Sequence, residues 1–266
     1  MTIKKVLLFP SPKGNVKEND ISNIERKLDS FGIAHERYIE GIEQSFDAII
    51  ALGGDGTMLN ASRLAFRKNT PIMCINFGTL GYMSGLENGE LDMLSALKTG
   101  CNTESRMLLD IKVERNGATV AESTALNEAV IARHTDSGIA KIGLRCDGAT
   151  VCEYRADGII FATPTGSSAY AMSAGGPIID TKLDAFCVCP ICPHTIGARA
   201  MIFSPNSLLD AVNINENGNN TLLSDGRAVC ELEQNDIIHI SRSSRTLELI
   251  KLKKDAFYET LYNKMS

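Results

Sequence analysis

The sequence carries too little positive charge to hold a nucleic acid non-specifically. Lys and Arg number 27 against 32 Asp and Glu in 266 residues, a net charge of -5, so any anionic ligand has to be held by local groups. No apolar run approaches the length of a bilayer span, and the opening MTIKKVLLFPSPKG turns polar too early for a secretion signal. The expected location is the cytoplasm. Without a secretion signal, the eight cysteines read as reduced thiols rather than a disulfide framework. Two phosphate signatures are also missing, the GxxxxGK(S/T) loop and the GxGxxG turn, which disfavours a P-loop nucleotidase and a standard dinucleotide dehydrogenase. What remains, at 44% hydrophobic and 22% charged residues, is the composition of an ordinary folded protein.

Two periodicities divide the chain. Over the first hundred residues short β-like runs alternate with helical patterns, the signature of parallel α/β architecture. Val6 to Phe9 reads as a strand, and Ile21, Ile24, Leu28 and Phe31 recur at steps of three and four, which predicts a helix with one apolar face closed at Gly32. Ala34 to Ile39 reads as a second strand, Phe46 to Leu52 as one covered on both faces, and Pro71 to Phe77 as a fourth. Leu91, Leu94 and Leu97 predict a helix over Glu90 to Lys98. Near Gly100 the period falls to two. Met107, Leu109, Ile111 and Val113 alternate before Asn116-Gly117, as Ile142, Leu144 and Cys146 do before Asp147-Gly148, and both dipeptides signal hairpins. The expected organisation is an α/β domain with a parallel sheet over residues 1–100, completed by a strand and helix from residues 245–266, and a mostly antiparallel β domain over residues 101–244.

The segment ALGGDGT, Ala51 to Thr57, is placed between a buried strand and an expected helix. Its glycines permit close backbone approach, and a helix N-terminus adds partial positive charge beneath a phosphate. Thr57 is the expected N-cap. Asp55 separates this loop from a plain phosphate cradle: phosphate oxygens repel a carboxylate unless a metal ion or an incoming hydroxyl lies between them, which points to chemistry. The structural alternative is a turn residue satisfying nearby amides. Likewise Asn127-Glu128 offers the donors and acceptors a ribose needs but also reads as a surface loop pair, and Thr165, Ser167 and Ser168 also read as a helix-capping cluster.

Taken together, GGDGT (Gly53 to Thr57), INFGTLGYMSGL (Ile75 to Leu86), LNEA (Leu126 to Ala129), DGIIFATPTGSSAYAMSAGGPI (Asp157 to Ile178), PICPHTI (Pro190 to Ile196) and SDGR (Ser224 to Arg227) resemble the NAD kinase family, in order and at matching separations. The resemblance covers residues 46–227. It implies transfer of the γ-phosphoryl group of ATP, with a divalent metal (Mg2+), to the 2′-hydroxyl of the adenosine ribose of NAD, giving NADP. It implies that Asp55 is the general base toward that hydroxyl, with Gly53, Gly54 and Gly56 beside it. Tyr82 then lines the adenosine pocket, and Asn127 and Glu128 grip NAD through its ribose and adenine side. Arg155 and Asp157 lie near the nicotinamide half, Asp157 from a neighbouring subunit. Thr165, Ser168, Ala169, Tyr170 and Ser173 contact adenine, Cys192 offers a backbone contact, and Asp225 enters through the SDG turn. The resemblance further implies a homodimer or homotetramer, an active site in the crevice between the domains, ATP or polyphosphate as donor, and no dedicated metal ligand.

Two other readings share these motifs: a lipid kinase of the diacylglycerol type on the same GGDGT core, and a non-catalytic NAD-binding sensor. Cys187, Cys189, Cys192 and His194 mimic a zinc set but crowd too many ligands into one short stretch, and buried thiols are the expectation. His35, His134 and His239 have no carboxylate at local ligand spacing and are expected to be structural. Asn60 and Gly226 depart from the family pattern, Asn60 by adding no charge near the phosphates.

Overall fold

Continuous apolar runs in the first hundred residues become fully buried parallel strands, as expected of a sheet covered on both faces. The computed structural model describes all residues except 13, 15, 79, 80, 84, 135–137, 195, 196, 216–219, 254–256 and 266. Part of the Asn-rich stretch from Asn213 to Asn220 therefore lies outside the described residues. The chain divides into two compact units, Met1–Arg106 with Leu247–Ser266, and Met107–Thr246.

In the first unit the order along the chain is β1 (Lys5–Pro10), α1 (Glu18–Ser30), β2 (Ala34–Arg37), β3 (Ala48–Leu52), α2 (Asp55–Lys68) and β4 (Ile72–Asn76). β1 pairs in parallel with β2 and β3, and β3 pairs in parallel with β4. Leu249, near the end of the strand Ile237–Lys251, pairs in parallel with Ile72 on the far side of β4. Ile21, Ile24 and Leu28 of α1 are buried against this sheet's core, which includes Leu8, Ile50, Leu52 and Ile75. Each such side chain contributes about 1.5–3 kcal/mol by leaving water. β2 stops at Arg37, short of the predicted end, and Ile39 is 67% exposed. The predicted helix over Glu90 to Lys98 is a 3-10 stretch, Asn88–Leu94, running into a short α-helix, Ser95–Thr99. The exact step of three between Leu91, Leu94 and Leu97, all buried, is the 3-10 period, and it aligns them on one edge.

The second unit is antiparallel. One sheet has the order Met201–Phe203, Phe186–Ile191, Gly158–Ala162, Glu128–Arg133, Asn220–Ser224, Arg227–Leu232. Another joins Ala149–Ala156, Ala140–Cys146, Leu209–Asn213 and the first part of Ile237–Lys251. Met107, Leu109, Ile111, Val113, Ile142 and Leu144 all point into the core of this unit with Phe161 and Phe186. Three tight turns have both central residues left-handed: Asn116-Gly117 (φ 52 and 79), Asp147-Gly148 (51 and 81) and Asp225-Gly226 (47 and 72). That is the twist a two-residue hairpin requires. Among the described residues no helix is long and apolar enough to cross a membrane.

Candidate active site

At the C-terminal end of β3 the chain has to turn sharply into α2. Gly53 takes φ 154, and a Cβ there would stand 2.3 Å from Thr57 Oγ1, so only glycine fits. Gly54 is the N-cap of α2, and Asp55 is the first helical residue. Thr57 is therefore not the cap. It sits inside the first turn, buried, with its N–H donating to Gly54 O at 2.9 Å, because the glycine pair lets the helix begin three residues earlier than side-chain chemistry indicates.

The Asp55 carboxylate accepts the backbone N–H groups of Tyr82 at 3.0 Å and Met83 at 3.1 Å. It thereby pins the loop after β4 while facing a cleft of about 440 Å³ lined by Gly53, Gly54, Gly56, Asn60 and Lys264, a volume suited to a nucleotide-sized ligand. Part of the amide-satisfying alternative is thus realised, by a loop distant in sequence rather than by the local turn. The Tyr82 ring meets Phe257 at 6.3 Å and carries the Lys264 ammonium 4.3 Å from its centroid. Beneath the loop, burial and the charge of Asp55 push the Cys74 thiol up to about 12, so it stays protonated and unreactive.

In the second unit Asn127 and Glu128 open the strand Glu128–Arg133 and are only 7% and 6% exposed, which excludes a surface loop pair. Asn127 Oδ1 and Glu128 Oε2 are buried with no hydrogen-bond partner among the described residues. Unpaired buried acceptors are costly and mark a place for a ligand that donates hydrogen bonds. Burial, then the neighbouring Asp225 charge, raises the Glu128 carboxyl to about 7, against a hydrogen bond from the Tyr170 backbone that lowers it.

Asp225 organises this corner. Its carboxylate accepts the backbone N–H of Leu126 (2.9 Å), Asn127 (2.8 Å) and Glu128 (3.2 Å). On the other side, Thr163 N–H donates to Asn127 O at 2.9 Å and Thr163 Oγ1 to Leu126 O at 2.6 Å. Gly166 lies so close that a Cβ would be 2.1 Å from Asn127 O.

The capping reading of Thr165, Ser167 and Ser168 fails. Ser167 Oγ donates to Pro164 O and Ser168 Oγ to Thr165 O, while the 3-10 turn Gly166–Ser168 and the helix Tyr170–Ser173 have no side-chain cap. The hydroxyl that receives an amide at this turn is Thr163, from Gly166 N–H at 3.1 Å. Thr163 was missed by sequence reasoning, and its place three residues before Gly166 is the signal that marks it. Thr165 and Ser168 are 8% exposed, Tyr170 is 45% exposed, and Ala169 and Ser173 flank it on the accessible side.

Arg155, Asp157 and Cys192 are not brought to this corner. Gly158 pairs with Ala132 and with Ile191, whereas Ala162 pairs with Glu128, so Asp157 lies at the opposite strand end, roughly 17 Å away along five residues. There its carboxylate pairs with Arg133 Nε at 2.6 Å, and Arg155 O accepts His194 N–H at 2.7 Å.

Cys187 and Cys189 are buried with Val130, Ile160 and Ala162. No group of three His, Cys, Asp or Glu able to hold a metal occurs among the described residues. A Mg2+ that arrives on a nucleotide needs only one or two carboxylates beside the phosphates, and Asp55 is the one carboxylate among the described residues lining the cleft. The histidines do find carboxylates: His134 with Glu231 at 2.6 Å and His239 with Asp210 at 2.7 Å, both across strands, and His35 with Asp29 of α1 at 3.6 Å.

Residues 12–98 match the family model of the ATP-NAD kinase N-terminal domain, and residues 126–252 that of the ATP-NAD kinase C-terminal domain. An NAD kinase of Caldanaerobacter subterraneus subsp. tengcongensis is 36% identical over 234 residues, 87% of this chain and 83% of its own. One of a Thermoanaerobacter species is 38% identical over 222 residues, 83% of this chain and 78% of its own. Among solved structures, a yeast NADH kinase complexed with NADH superposes with a TM-score of 0.89 at 18% identity, covering 100% of this chain and 88% of that one. An NAD kinase from Archaeoglobus fulgidus in complex with ATP gives 0.78 at 23% identity, covering 98% of each. At such identities these two likenesses establish the fold.

Proposed function

The chain belongs to the NAD kinase family, whose activity is ATP-dependent phosphorylation of NAD to NADP, and from that premise we propose which of its residues carry the reaction. The lipid-kinase and non-catalytic alternatives have no support beside this membership. The first unit supplies the phosphoryl-donor side: the amides around Gly53, Gly54 and Gly56 and the start of α2 receive phosphate, and a Mg2+ bound with ATP would supply further neutralising charge there. Asp55 orients the 2′-hydroxyl of the adenosine ribose and takes its proton. Phosphoryl transfer has a loose transition state, so alignment and late proton acceptance suffice and a strong base is not required.

The second unit supplies the NAD side. Asn127 and Glu128 hold the ribose and adenine, Thr165, Ser168, Ala169, Tyr170 and Ser173 surround the adenosine, and Asp225 acts through the backbone it grips. Arg155 and Asp157 lie near the nicotinamide half, Asp157 from a neighbouring subunit, and Cys192 offers a backbone contact, in a cytoplasmic homodimer or homotetramer. The observation that carries this reading is the pair of buried acceptors, Asn127 Oδ1 and Glu128 Oε2, left without partners among the described residues. A ribose hydroxyl or an adenine amino group donates what they lack.

Incubation of the purified protein with NAD, ATP and Mg2+ should yield NADP. Replacing ATP by polyphosphate and NAD by NADH in the same assay fixes donor and acceptor, and absence of NADP from every combination would refute the reading.

A further inference from the structure

Phosphate chains need full positive charge as well as amide dipoles, and the donor cleft is poor in it. Among its described lining residues Asp55 is the one anion and Lys264 the one cation, the rest being Gly, Ser, Thr, Asn, Pro and Phe. Asn60, in the second turn of α2, adds no charge. Lys264 lies on the C-terminal helix Phe257–Met265, and three features fit it to an anionic ligand.

First, no carboxylate among the described residues pairs with it, so its charge is not already neutralised by an acid as those of Lys5, Lys27, Lys251 and Lys253 are. Second, its ammonium rests over the Tyr82 ring at 4.3 Å from the centroid, a contact that restrains the side chain without neutralising it. Third, the platform is itself fixed. Phe257, seven residues earlier on the same helix face, braces the Tyr82 ring, and the Tyr82 N–H is bonded to Asp55. The cation is thus tied through one aromatic residue to the loop that carries the acid.

We propose that Lys264 binds the phosphate chain of the phosphoryl donor, held in place by Tyr82, and so supplies from the C-terminal helix the charge that α2 does not. The assignment rests on the donor site proposed above and extends it to a residue outside every motif of the sequence. Its chemistry is that of a point-charge phosphate ligand, which also suits the pyrophosphate of NAD, and the two are separable.

The test is steady-state kinetics of Lys264→Gln and Lys264→Arg with ATP and NAD varied separately, beside calorimetric binding of inorganic tripolyphosphate. For Lys264→Gln the expected result is about a tenfold rise in KM for ATP and in Kd for tripolyphosphate, with KM for NAD, kcat and the thermal melt unchanged. Lys264→Arg should restore most of the affinity, and the salt dependence of KM for ATP should flatten in the Gln variant. Unchanged donor affinity, or a rise confined to KM for NAD, overturns the proposal. A wild-type protein that makes no NADP would refute the kinase assignment instead, and tripolyphosphate binding would still decide the role of Lys264.

Discussion

The carboxylate of Asp225 accepts the backbone N–H of Asn127 at 2.8 Å, across 98 residues of sequence. A hairpin turn thereby fixes the start of the strand that presents Asn127 and Glu128, and the two residues on either side of Asn127 are held by the same two oxygens. Removing that carboxylate strands three buried amides, each worth about 1–3 kcal/mol when left unpaired. Asp225→Ala should therefore lose at least about 3 kcal/mol of stability and raise KM for NAD with little change in KM for ATP. Denaturant unfolding together with two-substrate kinetics checks this, and an unchanged unfolding midpoint would contradict it.

Glu128 makes the stability of the free protein depend on pH. Its carboxyl is raised from 4.5 to about 7 in the fold, chiefly by burial, so the native state keeps a proton that the unfolded chain releases. The stabilisation is complete below pH 4.5, falls as pH rises toward 7, and is gone above that. The total is roughly 3 kcal/mol. Melting curves of wild type and Glu128→Gln across this range should show wild type losing stability relative to the variant as pH rises. A difference independent of pH would rule this out.

Asp55→Asn keeps the size of the side chain but cannot take a proton. Turnover should fall roughly 10²-fold or more while NAD binding by calorimetry persists. Wild-type turnover in the variant would remove Asp55 from the chemistry.

Gly166→Ala tests the packing of the TPTG turn on the NAD corner. The added methyl would lie 2.1 Å from the backbone O of Asn127, which cannot yield as a flexible side chain does. A loss of about 1–3 kcal/mol in stability is expected, with a higher KM for NAD and a preserved KM for ATP. Preserved NAD kinetics would show that the turn and Asn127 move together without consequence.

Much of the architecture was legible because its determinants are local. β3 and β4 are unbroken apolar runs, and Asn116-Gly117 and Asp147-Gly148 specify turns by their own backbone preferences. What stayed hidden depends on partners far along the chain. Asn127 and Glu128 look like loop residues until neighbouring strands bury them. Asp225 reads as a turn residue and gives no sign that it collects three distant amides. His134 and His239 find their acids only by strand pairing. Thr57 misled for a different reason: hydroxyl chemistry favours a cap, but the conformational freedom of Gly53 and Gly54 moves the helix start upstream. Lys264 carries no motif, and only the packing of Phe257 against Tyr82 brings it to the cleft.

The strand Ile237–Lys251 contributes to both compact units, and the first of them is built from two pieces of chain, Met1–Arg106 and Leu247–Ser266. During synthesis the ribosome delivers β4 long before Leu249 exists to pair with Ile72. The nascent N-terminal segment must therefore wait, with the Ile72 end of β4 unpaired on that side although Leu86–Glu87 already covers its Ile75–Asn76 end, while the whole β unit emerges and folds. Such late, sequence-distant closure slows folding, and a protein truncated after Arg106 would carry that open edge permanently, prone to self-association.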